Sequence, residues 1–266
     1  MLPLRDDAPT RNVPWATYAL LVINIVVFLF LQPAGYQNSD VADRSADEVN
    51  EFAFRWAAVP CEFAERQSLA DGAECTGEQE ADPILPEDKN IWATAITHMF
   101  LHGNLLHLLG NMLFLWVFGN YVEDRLGPWP FLGLYLTSGL VAMFGHAAFN
   151  WHDAVPMLGA SGAIAGLLGA YLILRPRGRI LVATAVAGVQ ILYVPAWSVL
   201  GLFFLEQFFI DEASGVAWIA HAAGMVAGAL LALVLRRLVA DPEMPRFDTA
   251  APRTPNWTLP EAPPTA

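Results

Sequence analysis

The stretch VAWIAHAAGMVAGALLALVL, Val216 to Leu235, contains no Asp, Glu, Lys or Arg. As a helix rising about 1.5 Å per residue it is about 30 Å long, the thickness of a bilayer's hydrocarbon core. It stops at Arg236-Arg237. One titratable side chain, His221, stands roughly two turns into it, and Gly224 and Gly228 make a GxxxG beside that histidine. Small residues at this spacing let helix backbones approach closely in lipid, and a polar ring there needs a partner. The run therefore reads as a membrane span with one face turned toward another helix.

Working outward, other long stretches also lack formal charge: Val13 to Tyr36, Ile91 to Val122, Leu126 to His152, Ala154 to Leu174 and Ile180 to Leu205. Only 15% of the 266 residues are charged and 55% are apolar, against about 25% and 45–50% in ordinary soluble domains. Several apolar segments of about 20 residues in one chain predict an all-α membrane protein, a bundle of six transmembrane helices. The spans are read as Trp15–Gln32, Asn104–Asn120, Phe131–Phe149, Ala160–Leu174, Pro195–Phe209 and Val216–Leu235. Ile180–Val194 is read as an interfacial or partly buried approach to the fifth.

The net charge of −12 is concentrated in one place. Between Pro33 and Ile96 lie 14 acids and 4 bases, so the loop 33–96 carries nearly all of it. No basic stripe remains to bind nucleic acid, and no segment has the pattern of a cleavable signal peptide. The membrane domain is expected over 15–238, after a short N-terminal segment, 1–14. A Pro-rich tail, 239–266, is expected to be disordered.

Six spans put both termini on one side of the membrane. Ten of the 14 Lys and Arg residues flank the ends that share that side, and the other four lie in the acidic loop. The short loops opposite, 150–158 and 206–215, have none. The positive-inside bias then makes both termini cytoplasmic and the acidic loop extracytoplasmic. Cys61 and Cys75 fall in that outer loop. In an oxidising compartment they can form a disulfide that staples a segment expected to be poor in hydrophobic core.

The polar residues within spans gather toward the outer side. His107 and Asn111 sit four apart on one face of the second span, Ser161 at the outer end of the fourth, and His221 in the sixth. A lone membrane serine ordinarily bonds its own i−4 carbonyl or serves packing, and a buried histidine can be purely structural. His98, His102 and His107 also raise a metal site, but no Asp, Glu or Cys joins them inside a span. Gly162, Gly166 and Gly169 line the fourth span and Gly224 with Gly228 the sixth. Close contact of those faces brings Ser161 and His221 within reach of each other, as an activated nucleophile requires. No third, acidic member of a triad is evident, so such machinery is a dyad.

The motifs HMFLHGNLLHLLGN (His98–Asn111), VEDRLG (Val122–Gly127), GASG (Gly159–Gly162) and AHAAGMVAG (Ala220–Gly228) resemble those of the rhomboid intramembrane proteases, in order and on the matching spans. The resemblance covers about Val13 to Leu235. It implies Ser161 as nucleophile and His221 as general base, with His107, Asn111 and the Ser161 backbone N–H as the oxyanion hole. It also implies Glu123 and Arg125 as a structural pair, and the fifth span and the 206–215 turn as gate and cap. The implied activity is serine endopeptidase cleavage of transmembrane segments in single-pass membrane proteins within the lipid bilayer. No cofactor or metal is implied. A proteolytically inert relative that binds membrane clients is the alternative, and it would be expected to lack the serine or histidine. A transporter would be expected to carry intramembrane charge or repeated halves. Two positions depart from the family pattern: Trp92 is followed by Ala93 rather than Arg, and Ala165 stands where some members place a tyrosine under the catalytic imidazole.

Overall fold

The computed structural model describes residues 2–8, 10–36, 42–73, 75, 85–184, 190–206 and 218–238. Three helices among these are long and apolar enough to cross a membrane: α5 (Leu105–Leu126), α6 (Pro128–Phe149) and α9 (Trp218–Leu238). Three shorter apolar helices accompany them: α1 (Trp15–Leu31), α7 (Ser161–Leu174) and α8 (Ala196–Glu206). The order is that expected of the six spans. By length alone, though, only three of the six suffice. The tail 239–266 and the turn between α8 and α9 fall outside the described residues.

Packing centres on α7, which lies between α6 and α9 and is buried at every position from Ala163 to Tyr171. The reason is the absence of side chains at the contact. A Cβ on Gly224 would overlap the carbonyl oxygen of Gly162, one on Gly228 that of Gly166, and one on Gly169 that of Met225. The two glycine faces thus meet backbone to backbone. At the same junction, a Cβ on Gly162 would stand 2.6 Å from that of Ala142 on α6, so α6, α7 and α9 all meet there.

Two features depart from the expected all-helical bundle. Ile180–Val194, read as an interfacial or partly buried approach segment, is the source of the first. It contributes β2 (Arg179–Thr184) and β3 (Gln190–Pro195), which pair antiparallel from Arg179↔Pro195 to Thr184↔Gln190. The N-terminal β1 (Leu2–Asp6) adds to the other side of β2, from Leu2↔Ala183 to Asp6↔Ile180, giving the order β1-β2-β3. Ile180 and Val182 alternate inward and are fully buried beneath the helix ends. Runs of Ile, Val and Tyr fit a pleated, half-buried surface better than a helix. Asp6 and Asp7 both pair with Arg175, which anchors this sheet to the end of α7. Burial pushes the Asp6 carboxyl up to about 6, with Arg175 pulling the other way.

The second departure is the acidic loop, which folds. It contains α2 (Ala42–Trp56), α3 (Pro60–Glu65) and α4 (Ile91–Thr97), the last capped by the Asn90 side chain on the N–H groups of Trp92 and Ala93. A small core of Phe54, Val59, Cys61 and Leu69 closes over Ala154, and a second joins Ala58, Phe63 and Ala95 to Met143 of α6. Cys61 and Cys75 are joined by a disulfide, with Cα atoms 5.9 Å apart. Glu62 and Lys89, their side chains almost wholly buried, form an ion pair at 2.5 Å, and Glu62 also accepts the Leu69 N–H. Burial lowers the Lys89 pKa while Glu62 raises it. The loop was expected to lack a core because its acids dominate the composition. Its few aromatic and aliphatic residues nonetheless converge.

Candidate active site

Ser161 is the first residue of α7, and His221 lies one turn into α9. The glycine contacts that draw α7 against α9 set these two side chains face to face, with His221 Nε2 2.7 Å from Ser161 Oγ. His221 is buried and Ser161 partly so. The chain enters Ser161 through Gly159, whose φ of +134° is a conformation that favours glycine. Position 159 has no room for a side chain either: a Cβ would sit 3.0 Å from Cε1 and Nε2 of His107. The GASG motif therefore lets the backbone pass tightly over the His107 ring before turning into α7.

His107 and Asn111 rise from the first turns of α5. Asn104 caps that helix by accepting the His107 N–H, and the His107 Nδ1 accepts the Gly103 N–H. Asn111 Nδ2 donates to the His107 carbonyl at 3.0 Å. These two residues, Ser161 and His221 all line one cavity of about 680 Å³, together with His98, Met157 and Phe203. His98 is tied to the Thr94 carbonyl, and the His102 ring packs edge-on against His107. Among the described residues no group of three or more His, Cys, Asp or Glu is placed to hold a metal ion.

A family model for the rhomboid domain matches residues 89–238. The chain belongs to the rhomboid family. Curated relatives carrying the name rhomboid protease GlpG share its sequence at a distance. The protein from Pectobacterium atrosepticum is 27% identical over 220 residues, 81% of this chain and 61% of that one. Those from Salmonella choleraesuis and Salmonella newport are each 31% identical over 159 residues, 58% of this chain and 51% of theirs. The chain thus spans about half to three-fifths of the length of these relatives. Rhomboid membership together with the long apolar helices makes it an integral membrane protein.

Three sets of contacts escaped sequence reasoning, two of them at the Ser161–His221 cavity and one remote from it. Phe203 of α8 sets its ring 6.0 Å from that of His221 and 5.1 Å from that of Phe114. Ala165, fully buried in α7, offers no ring to the imidazole. Glu123, which the resemblance pairs with Arg125, also holds the start of α1. It accepts the N–H groups of Ala16 and Thr17 at 2.9 and 2.7 Å and the Thr17 hydroxyl at 2.7 Å. A carboxylate suits the unpaired N–H groups of a helix start. Last, the acidic loop reaches the segment leading to Ser161: Ala58 and Met157 exchange backbone hydrogen bonds at 3.2 and 2.7 Å, and the Cys61 N–H donates to Asp153 O.

Proposed function

We propose that the protein is an intramembrane serine endopeptidase that cleaves transmembrane segments of single-pass membrane proteins through a Ser161–His221 dyad. The observation that carries this is the 2.7 Å separation of His221 Nε2 and Ser161 Oγ at the floor of a cavity among the spans. In the reaction, the Ser161 hydroxyl attacks the scissile carbonyl while His221 takes its proton. The tetrahedral oxygen carries negative charge and is met by Asn111, His107 and the backbone N–H of Ser161, which as a first-turn N–H has no intrahelical acceptor. His221 then returns the proton to the leaving amine, and water resolves the acyl-enzyme by the same steps in reverse. Each step balances without a metal or cofactor.

The six apolar helices act as six spans, the shorter ones sitting where the bilayer is locally thin or completed by their flanking turns. Both termini and the arginine-rich end face the cytoplasm, in a bacterial cytoplasmic membrane, and the dyad cavity opens outward. The curated relatives named as rhomboid proteases support the protease reading, and the presence of both serine and histidine weighs against an inert client-binding relative. The test is cleavage of a transmembrane reporter by the purified protein in liposomes, with the Ser161→Ala protein beside it. Cleavage by the wild type alone is expected. Equal cleavage by both proteins would overturn the assignment.

A further inference from the structure

At the end of the bundle opposite Ser161, a cavity of about 1070 Å³ opens between the N-terminal segment and α5. We propose that it binds the headgroup of an anionic phospholipid, Arg5 and Arg11 holding the phosphate.

Four arginines and three aspartates line the cavity, and each aspartate has one oxygen engaged with the fold. Asp124 Oδ1 accepts the N–H of Arg11, the N–H of Asn12 and the Asn12 amide at 2.8–3.1 Å. Asp6 and Asp7 pair with Arg175, and Asp7 also accepts the Arg179 N–H. The guanidinium groups of Arg5 and Arg11 are in no ion pair among the described residues, and both side chains are exposed, Arg5 donating to the Tyr193 hydroxyl at 3.3 Å. With four arginines against three aspartates the lining keeps an excess of positive charge, and guanidinium groups suit a phosphate and its bidentate geometry.

Depth is indicated by the aromatic residues. Trp116, on the cavity wall, stacks on Tyr18 at 5.6 Å, and Trp15 meets Tyr18 edge-on at 6.4 Å. Trp15 and Trp116 are both exposed. Exposed Trp and Tyr at the end of apolar helices mark the headgroup level of a bilayer. Trp15 and Tyr18, in the first turn of α1, therefore set the cavity mouth at the level of the phospholipid phosphates, with Trp116, midway along α5, deeper in.

The experiment is thermal unfolding of the purified full chain in a neutral detergent, with short-chain phosphatidylglycerol, phosphatidylcholine or glycerol 3-phosphate added at equal concentration. Phosphatidylglycerol should raise Tm by about 5 °C, the size of a saturating ligand's effect on a chain of this length. The shift should vanish in the Arg5→Gln/Arg11→Gln protein and persist in Arg236→Gln/Arg237→Gln, whose arginines lie outside the cavity. Should the first double variant fold poorly, Arg11→Gln alone should at least halve the shift. An arginine-dependent shift from glycerol 3-phosphate equal to the lipid's assigns the same chemistry to a soluble source. No shift from it assigns the site to lipid. Equal shifts from phosphatidylcholine and phosphatidylglycerol, or a full shift in the cavity variants, would overturn the proposal.

Discussion

His221 Nε2 and Ser161 Oγ, 60 residues apart in sequence, stand 2.7 Å apart because their helices touch through glycine. The hydrogen bond belongs to the packing as much as to the chemistry. Without backbone contact between α7 and α9, a serine and an imidazole of ordinary reach would not meet.

The pair should fail as a unit. Ser161→Ala and His221→Ala are each expected to abolish cleavage of a transmembrane reporter, and the double variant should be no worse than either. Such non-additivity marks residues serving one step, because once the nucleophile is gone its base has nothing left to do. Both variants should keep the wild-type melting temperature. Independent, multiplicative losses in turnover would show that the two do not cooperate.

Gly224 tests the packing link directly. A side chain there meets the Gly162 carbonyl, a backbone atom that cannot rotate away. Gly224→Val should therefore push α9 off α7, lowering Tm and lengthening the Ser161–His221 distance until turnover disappears. Overpacking of this kind costs about 1–3 kcal/mol, or more where the obstruction is backbone. Gly133, where a Cβ would meet nothing within 4 Å, is the control, and Gly133→Ala should change neither quantity. Unchanged stability in Gly224→Val would mean that the helices do not pack through this glycine.

Glu123 lies far from the dyad, and its role is separable from catalysis. Glu123→Ala strands the N–H groups of Ala16 and Thr17 and the Thr17 hydroxyl, all in the buried first turn of α1. Unsatisfied buried groups cost about 1–3 kcal/mol each, so a loss on the order of 3 kcal/mol is expected after partial relaxation. Glu123→Gln keeps one acceptor and should lose about half as much. At a temperature where both remain folded, turnover should match the wild type. A drop in turnover without a drop in Tm would give Glu123 a different role.

What the sequence made legible follows from where its constraints are local. Uncharged runs, the GxxxG of Gly224 and Gly228, and the polar residues His107, Asn111, Ser161 and His221 can each be read within one helix. The sheet could not be found that way. In Ile180–Val194 nearly every residue is apolar, so no alternation separates strand from helix, and β1 joins from the distant N-terminus. The only cues were Gly188 and the β-branched and aromatic residues on either side of it. Phe203 and the partners of Glu123 were equally hidden, because each acts across a gap of many residues. The acidic loop misled by composition: its core uses a handful of residues, Phe54, Val59, Phe63 and Leu69 among them, that the average obscures.

The loop's fold changes what reduction of its disulfide should do. From composition alone, Cys61–Cys75 would staple a floppy segment remote from the chemistry, and turnover of a small substrate would not depend on it. The structure instead runs from Cys61 through its own N–H to Asp153, and from Ala58 to Met157, two residues before Gly159 and four before Ser161. Loosening α3 therefore loosens the segment that sets Gly159 over the His107 ring. Closing a loop of this size is worth about 3 kcal/mol in the chain-entropy model, an upper figure once residual structure is counted. The double variant Cys61→Ser/Cys75→Ser should be nicked faster by added protease and should turn over a small substrate several-fold more slowly, with KM little changed. Lys89→Met, which leaves the Glu62 carboxylate buried without its cation, should act in the same direction through a different contact. The decisive comparison is the wild type before and after reduction: equal turnover in both states, with nicking accelerated, would mean that the folded loop covers the catalytic segment without holding it in place.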